Sequence, residues 1–134
     1  MARKLADWLT QLQHDRQTRL ALLLAPRLVR LPLVIQRYDD PFLPYGKAII
    51  NATRDLVCAY VFDLAAYLSI GAAGVVALER TLAYASNEAV TIVHGPFAGT
   101  GYAALLDESS LNADAVTLIQ QEDAAAYLQR PDRT

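Results

Sequence analysis

Four short runs of nearly unbroken apolar residues punctuate the chain: residues 20–24 (LALLL), 56–61 (LVCAYV), 89–93 (AVTIV) and 114–119 (DAVTLI). The first is oily at every position rather than at alternate ones, the pattern of a strand covered on both faces of a parallel sheet. Between the runs the period becomes helical. Tyr45, Ile49, Thr53 and Leu56 recur at intervals of four, four and three after Pro44, a residue suited to a first helical turn. Gly71 and Gly74 bracket a turn into residues 75–85, where Val75, Leu78, Leu82 and Ala85 form one stripe. Residues 2–13 read as an amphipathic helix with Leu5, Trp8, Leu9 and Leu12 on its core or interface side, residues 102–106 as a short helix, and residues 123–129 as a final one. The proline-rich stretch 27–44 reads as loop with a turn or two of helix.

Strand and helix therefore alternate four times, which predicts a single α/β domain over residues 1–134 with a parallel sheet and right-handed crossovers. A complete (β/α)8 barrel is out of reach for 134 residues, because it needs ~200 or more.

Charge and cysteine usage narrow the function classes. The formal net charge is −2, which disfavours a general nucleic-acid binder, since phosphate neutralisation needs a basic footprint. The charge is unevenly spread: residues 1–54 hold nine basic side chains against four acids, and residues 55–134 hold three against ten. This is either an uneven solvated surface or two complementary docking faces. Cys58 is the single cysteine, so no intrachain disulfide forms and a reducing cytoplasm is the expected compartment. It lies in an apolar run, as a buried structural thiol would. The most apolar stretch, residues 20–35, is interrupted by Pro26, Arg27, Arg30 and Pro32, so no membrane span is expected, and no secretory signal precedes it.

Three segments, AIINATRDLVCAY at 48–60, YLSIGAAGVVALERTLAYA at 67–85 and NADAVTLI at 112–119, with a weaker match in RLALLLAP at 19–26, are similar to a known family. In this order they resemble the mycobacterial-type branch of the orotidine 5′-phosphate decarboxylases. The most specific phrase surrounds Gly71, Gly74 and Glu79-Arg80-Thr81. The resemblance implies a (β/α)8 barrel that works as a dimer, of which this chain would supply only the first four βα units: the parallel-sheet (βα)4 half of a TIM-barrel-like fold. It also implies decarboxylation of orotidine monophosphate to uridine monophosphate without a cofactor. That chemistry uses a lysine to protonate the ring carbanion, flanked by carboxylates, at the carboxyl ends of the strands.

Position by position, the chemistry is missing. The family's aspartate at the end of the first strand corresponds to Ala25, and its lysine at the end of the second to Val61. A glutamate on the next turn corresponds to Leu68. The Asp-x-Lys-x-x-Asp segment falls on residues 94–99, placing His94, Pro96 and Gly99 at its three functional positions. The chain's two lysines, Lys4 and Lys47, follow no expected strand. Phosphate loops after a seventh and eighth strand are likewise not encoded.

The remaining candidates for ligand binding are few. His94 follows an expected strand, where an imidazole would serve as a general base or ligand, although a structural histidine fits equally. Gly95, Gly99 and Thr100 belong to a glycine-rich stretch that would cradle an anion, or would merely close a short loop. Asp63 follows the second run, and Arg27 and Arg30 follow the first. Asp39-Asp40 and Asp107-Glu108 read as solvated turns, His14 as solvated, and no metal site or cofactor is expected.

An open half-barrel would expose its inner face. A dozen inward apolar side chains left in water forfeit ~10 to 20 kcal/mol, against a typical domain stability of ~5 to 15. A partner is therefore expected over that face, a homo-oligomer, most simply a dimer, that either closes a barrel or packs open sheets together. Two readings of function stand. One is a non-catalytic scaffold or regulatory subunit in pyrimidine nucleotide biosynthesis, serving another enzyme of that pathway. The other is a nucleotide-binding or nucleotide-converting protein with a site rebuilt at a dimer interface from His94, Asp63 and Arg27 or Arg30.

Overall fold

The structure, a computed structural model, describes residues 4–106 and 111–127. Helix α1 (Leu5–Arg16) leads into β1 (Ala21–Leu24), a 3-10 turn (Leu28–Arg30), α2 (Leu33–Gln36) and α3 (Phe42–Thr53). Then come β2 (Ala59–Asp63), α4 (Leu64–Leu68), α5 (Ala72–Ala85), β3 (Val90–His94), a 3-10 segment (Pro96–Leu106), β4 (Ala115–Val116) and a last 3-10 segment (Gln121–Ala126). The strands form one sheet in the order β1-β2-β3-β4, every pair parallel. Four parallel strands in sequential order, the first two followed by α-helices and the last two by 3-10 segments where short helices were expected, form a half of a (β/α)8-type barrel.

Side-chain alternation splits the sheet into two faces. Leu24, Tyr60, Phe62 and Val93 point outward into the main core, where Phe42 and Ile50 of α3 meet Leu78 and Leu82 of α5. The two helices approach closely at Gly46, where a methyl group would stand 2.7 Å from Thr81 Cγ2. Tyr67 of α4 is fully buried there, edge-on to Phe42 with ring centroids 5.8 Å apart. Burial pushes its phenol above the ordinary value of 10.0.

The other face carries three rows set by the register: Ala21, Ala59 and Val90; then Leu23, Val61, Ile92 and Ala115; then Asp63 and His94. Helix α1 covers the first of these rows at β2 and β3. Its Leu12 packs with Cys58, Ala59 and Val90, flanked by Leu5, Trp8 and Leu9, so the expected apolar stripe is a core stripe. The second row is less covered, with Val61 and Ile92 half-buried and Leu23 56% exposed. The expectation that β1 is covered on both faces therefore fails within this chain: Leu24 is buried while Ala21 and Leu23 are exposed. An uninterrupted apolar run marks what a strand can bury, and the missing cover is a matter of neighbours.

Several boundaries move. Leu56 is 60% exposed and outside β2, which instead extends to Asp63. Val75 is partly exposed, and the buried stripe of α5 runs through Gly74, Ala77, Leu78, Thr81, Leu82 and Ala85. Helix α4 has no counterpart in the sequence reading. The fourth run keeps only two strand residues, held by Asp114, whose Oδ2 accepts from the Thr91 N–H at 2.9 Å and hydroxyl at 3.1 Å. Asp107-Glu108 and the end of the expected last helix lie outside the described residues.

Candidate functional site

Barrel-type folds build their sites at the carboxyl ends of the strands, on the inward face. Here that position is occupied by Asp63, His94 and Thr117. Asp63 closes β2 and pairs in register with His94, which closes β3. His94 Nδ1 lies 2.7 Å from Thr117 Oγ1, the residue just beyond β4, so an imidazole and a hydroxyl share a hydrogen bond across the strand ends. His94 is exposed and Asp63 half-buried. Asp63 also occupies the N-cap position of α4 yet makes no capping hydrogen bond, so its carboxylate is not consumed by the helix.

The other expected residues are more dispersed. Gly95 is buried against α4, where a methyl group would meet Leu64 Cδ2 at 2.7 Å. Its lack of a side chain thus lets β3 pass the start of α4. The anticipated open loop over 94–101 is instead a 3-10 segment broken at Gly99, with φ 55° and ψ −125°. Tyr127 donates its hydroxyl to the Gly99 carbonyl at 3.0 Å, while Thr100 is exposed. Arg27 and Arg30 are exposed on the segment after β1, and no ion pair among the described residues joins either to Asp63 or His94. The structure thus brings Asp63 and His94 into register, with Gly95 next in the chain, and shows no hydrogen bond or ion pair that joins Gly99, Thr100 or Arg27 to them among the described residues. Thr117 was missed, although its spacing of two from Ala115 places it on the inward face.

Both lysines stand elsewhere. Lys4 precedes α1, and Lys47 lies on α3 with its ammonium 5.2 Å from the centre of the Tyr84 ring, away from the strand ends. At the position matching the family's second-strand lysine, Val61 joins the apolar row with Leu23, Ile92 and Ala115. An imidazole, a hydroxyl and a carboxylate can hydrogen-bond a polar ligand, but none carries the permanent positive charge of an ammonium. Among the described residues no group of His, Cys, Asp and Glu is placed to hold a metal, and no helix is long and apolar enough to cross a membrane. An open concavity of about 440 Å³ lies beside the end of α1, lined by Thr10, Gln13, His14, Gln17, Thr18 and Arg19, away from the strand carboxyl ends.

The chain is 34% identical over 129 residues to orotidine 5′-phosphate decarboxylase of Herpetosiphon aurantiacus, an alignment covering 90% of this chain and 48% of that protein. This chain is related to the orotidine 5′-phosphate decarboxylases. It spans about half the length of the curated relatives over which it aligns at greatest extent. No protein-family model matches it. Among solved structures, the decarboxylase-like chain superposes on a Toxoplasma gondii protein assigned as an orotidine-monophosphate-decarboxylase with TM-score 0.80 and 20% identity, covering 96% of this chain and 46% of that one. Leishmania donovani UMP synthase gives TM-score 0.77 and 18% identity, covering 98% of this chain and 29% of that one. These similarities agree with the half-barrel architecture.

Proposed function

We propose that this decarboxylase-like chain is a non-catalytic half-barrel that acts in the cytoplasm as a scaffold or regulatory subunit of pyrimidine nucleotide biosynthesis, docking another enzyme of that route such as orotate phosphoribosyltransferase. The observation that supports it is the placement of the lysines. Decarboxylation leaves a carbanion that must be protonated, and at the strand ends the chain presents Val61, His94 and Thr117 while both ammonium groups lie elsewhere. At the positions where the family has carboxylates the chain has Ala25, Leu68, His94 and Gly99, so Asp63 is the one carboxylate that the strand ends of β1, β2 and β3 carry.

A second reading rests on the His94–Thr117 hydrogen bond beside Asp63, a polar cluster able to hold a nucleotide without turning it over. One pair of measurements separates the two. Calorimetric titration of the chain with uridine and orotidine monophosphates gives no heat on the first reading and saturable heat, abolished by His94→Ala, on the second. Release of carbon dioxide from orotidine monophosphate would overturn both.

A further inference from the structure

Among the described residues the half-barrel leaves two strand edges unpaired, β1 and β4, and the segments carrying them have opposite character. Residues 16–37, around β1, contain five arginines and no acidic residue. Residues 111–127, around β4, contain Asp114, Glu122 and Asp123 and no basic residue. Arg27, Arg30 and Glu122 are exposed and Asp123 is half-buried, and no ion pair among the described residues engages them. Exposed apolar side chains gather at the same places. Leu20, Leu23, Val29, Leu33 and Val34 are 65%, 56%, 86%, 75% and 67% exposed beside β1, and Ile119 is 75% exposed just beyond β4. A monomer has no use for this concentration of apolar surface.

We infer that a second copy of this chain covers the inner sheet face, β4 of each copy pairing in parallel with β1 of the other so that two half-barrels close one eight-stranded barrel. The inference deepens the scaffold reading by naming the assembly, but rests only on the fold and the charge pattern. A two-fold axis along the barrel makes the two seams identical, and in each the Arg27 and Arg30 segment of one copy lies beside the Glu122 and Asp123 segment of the other. Inside, the row Leu23, Val61, Ile92 and Ala115 meets its own copy, as the packed interior of such a barrel requires. The charge pattern chooses the occupant: each chain carries both halves of the complement, so a like chain satisfies both seams at once. It also opposes face-to-face packing of open sheets, which would not bring those two segments together.

The test is light scattering with size-exclusion chromatography on the 134-residue chain at micromolar concentration, where twice the single-chain mass of 14.7 kDa is expected. Two charge-reversed variants sharpen it. One carries Arg27→Glu and Arg30→Glu, the other Glu122→Arg and Asp123→Arg. Each alone sets like charges against each other at both seams, and its dimer dissociates at least tenfold more readily than the original. Mixed, the two restore opposite charges at both seams and form a one-to-one heterodimer at low ionic strength. A well-behaved monomer of the original chain overturns the inference, as do variants that dimerise unchanged or a mixture that behaves as the sum of its parts. None of these readouts involves a nucleotide, so turnover that defeated the proposed function would leave the assembly standing.

Discussion

Three glycine-to-alanine substitutions test the packing of the outer face, and they should fall in a steep order. Gly74 begins the buried stripe of α5, and a Cβ built there lies 1.6 Å from the Tyr67 carbonyl oxygen and 2.7 Å from its carbon. An ordinary carbon–oxygen contact needs about 3.3 Å, so α4 and α5 would have to separate by over an ångström, through backbone rather than a flexible side chain. Tyr67 would move with them, disturbing its packing on Phe42 and Phe62. In an exposed helix the same change gains roughly 0.5–1 kcal/mol. Here overpacking reverses the sign and costs about 3 kcal/mol, the upper part of the usual range. For a chain of this length that is a fall of about 10 °C in Tm. Gly71 has open space around it but sits at φ 73° and ψ −145°, so Gly71→Ala costs about 1–2 kcal/mol through torsion alone. Gly101 has neither a close neighbour nor a positive φ, and its alanine variant stays within about 0.5 kcal/mol. Urea unfolding followed by circular dichroism, at one fixed protein concentration, reads the three as shifts in midpoint at constant slope. If Gly74→Ala were as stable as Gly101→Ala, the close approach of α5 to the end of α4 would be wrong.

Asp114→Ala removes the acceptor of two Thr91 hydrogen bonds and should cost about 2–3 kcal/mol, with faster amide exchange in β4 as the local signature; unchanged exchange there would refute the role. Burial raises the Tyr67 phenol above its ordinary 10.0, so the unfolded chain ionises first. Its contribution is whole below pH 10 and is lost as pH climbs from there through the raised folded value, so Tyr67→Phe should flatten the alkaline fall in stability; identical limbs would count against it. The Cys58 thiol is 2% exposed and donates to the Leu20 carbonyl at 3.3 Å, so native labelling by a thiol reagent should run at least roughly 100-fold slower than in urea.

The order of strands and helices was legible because each strand is an apolar run between helical stretches, and the distinctive phrase around Gly71 and Gly74 marks a real constraint: one glycine is torsional and the other steric. Strand ends were less legible. The second apolar run begins at Leu56, yet the parallel register places Asp63 opposite His94 and leaves Leu56 in solvent. Periodicity cannot see that, because register is a property of neighbouring strands. Helix α4 is too short for a periodic signal and is fixed by tertiary packing, with Tyr67 held between Phe42 and Phe62. At the candidate site, Asp63 and His94 were found from their places after apolar runs. Thr117 was hidden within a run, and only the alternation from Ala115 puts it beside His94. The glycine-rich stretch gave no hint that it would coil into a 3-10 segment pinned by Tyr127, since that partner lies 28 residues away.

In the proposed dimer, the absent lysine and the sealed inward row coincide at position 61. The outer core of Tyr60, Phe62, Leu78 and Leu82 is sealed by α3 and α5 and does not depend on what the inward row contains. Val61 can therefore change without disturbing it. A lysine there would stand between Leu23 and Ile92 in the register, and closing that row against a second apolar face would trap an ammonium away from water unless a carboxylate and further hydrogen-bond partners came with it. Ala25, Leu68, His94 and Gly99, where carboxylates would be expected, offer none, and Asp63 stands two residues further along β2 in the next row, toward the open strand end. In the proposed dimer, valine at 61 removes the proton donor and also makes the row fit to be sealed. Val61→Lys should consequently weaken dimerisation by an order of magnitude or more while the outer core, read by near-ultraviolet dichroism of Tyr60 and Tyr67, stays intact. A Val61→Lys chain that dimerised as tightly as the original would show that the inward row is not the buried surface.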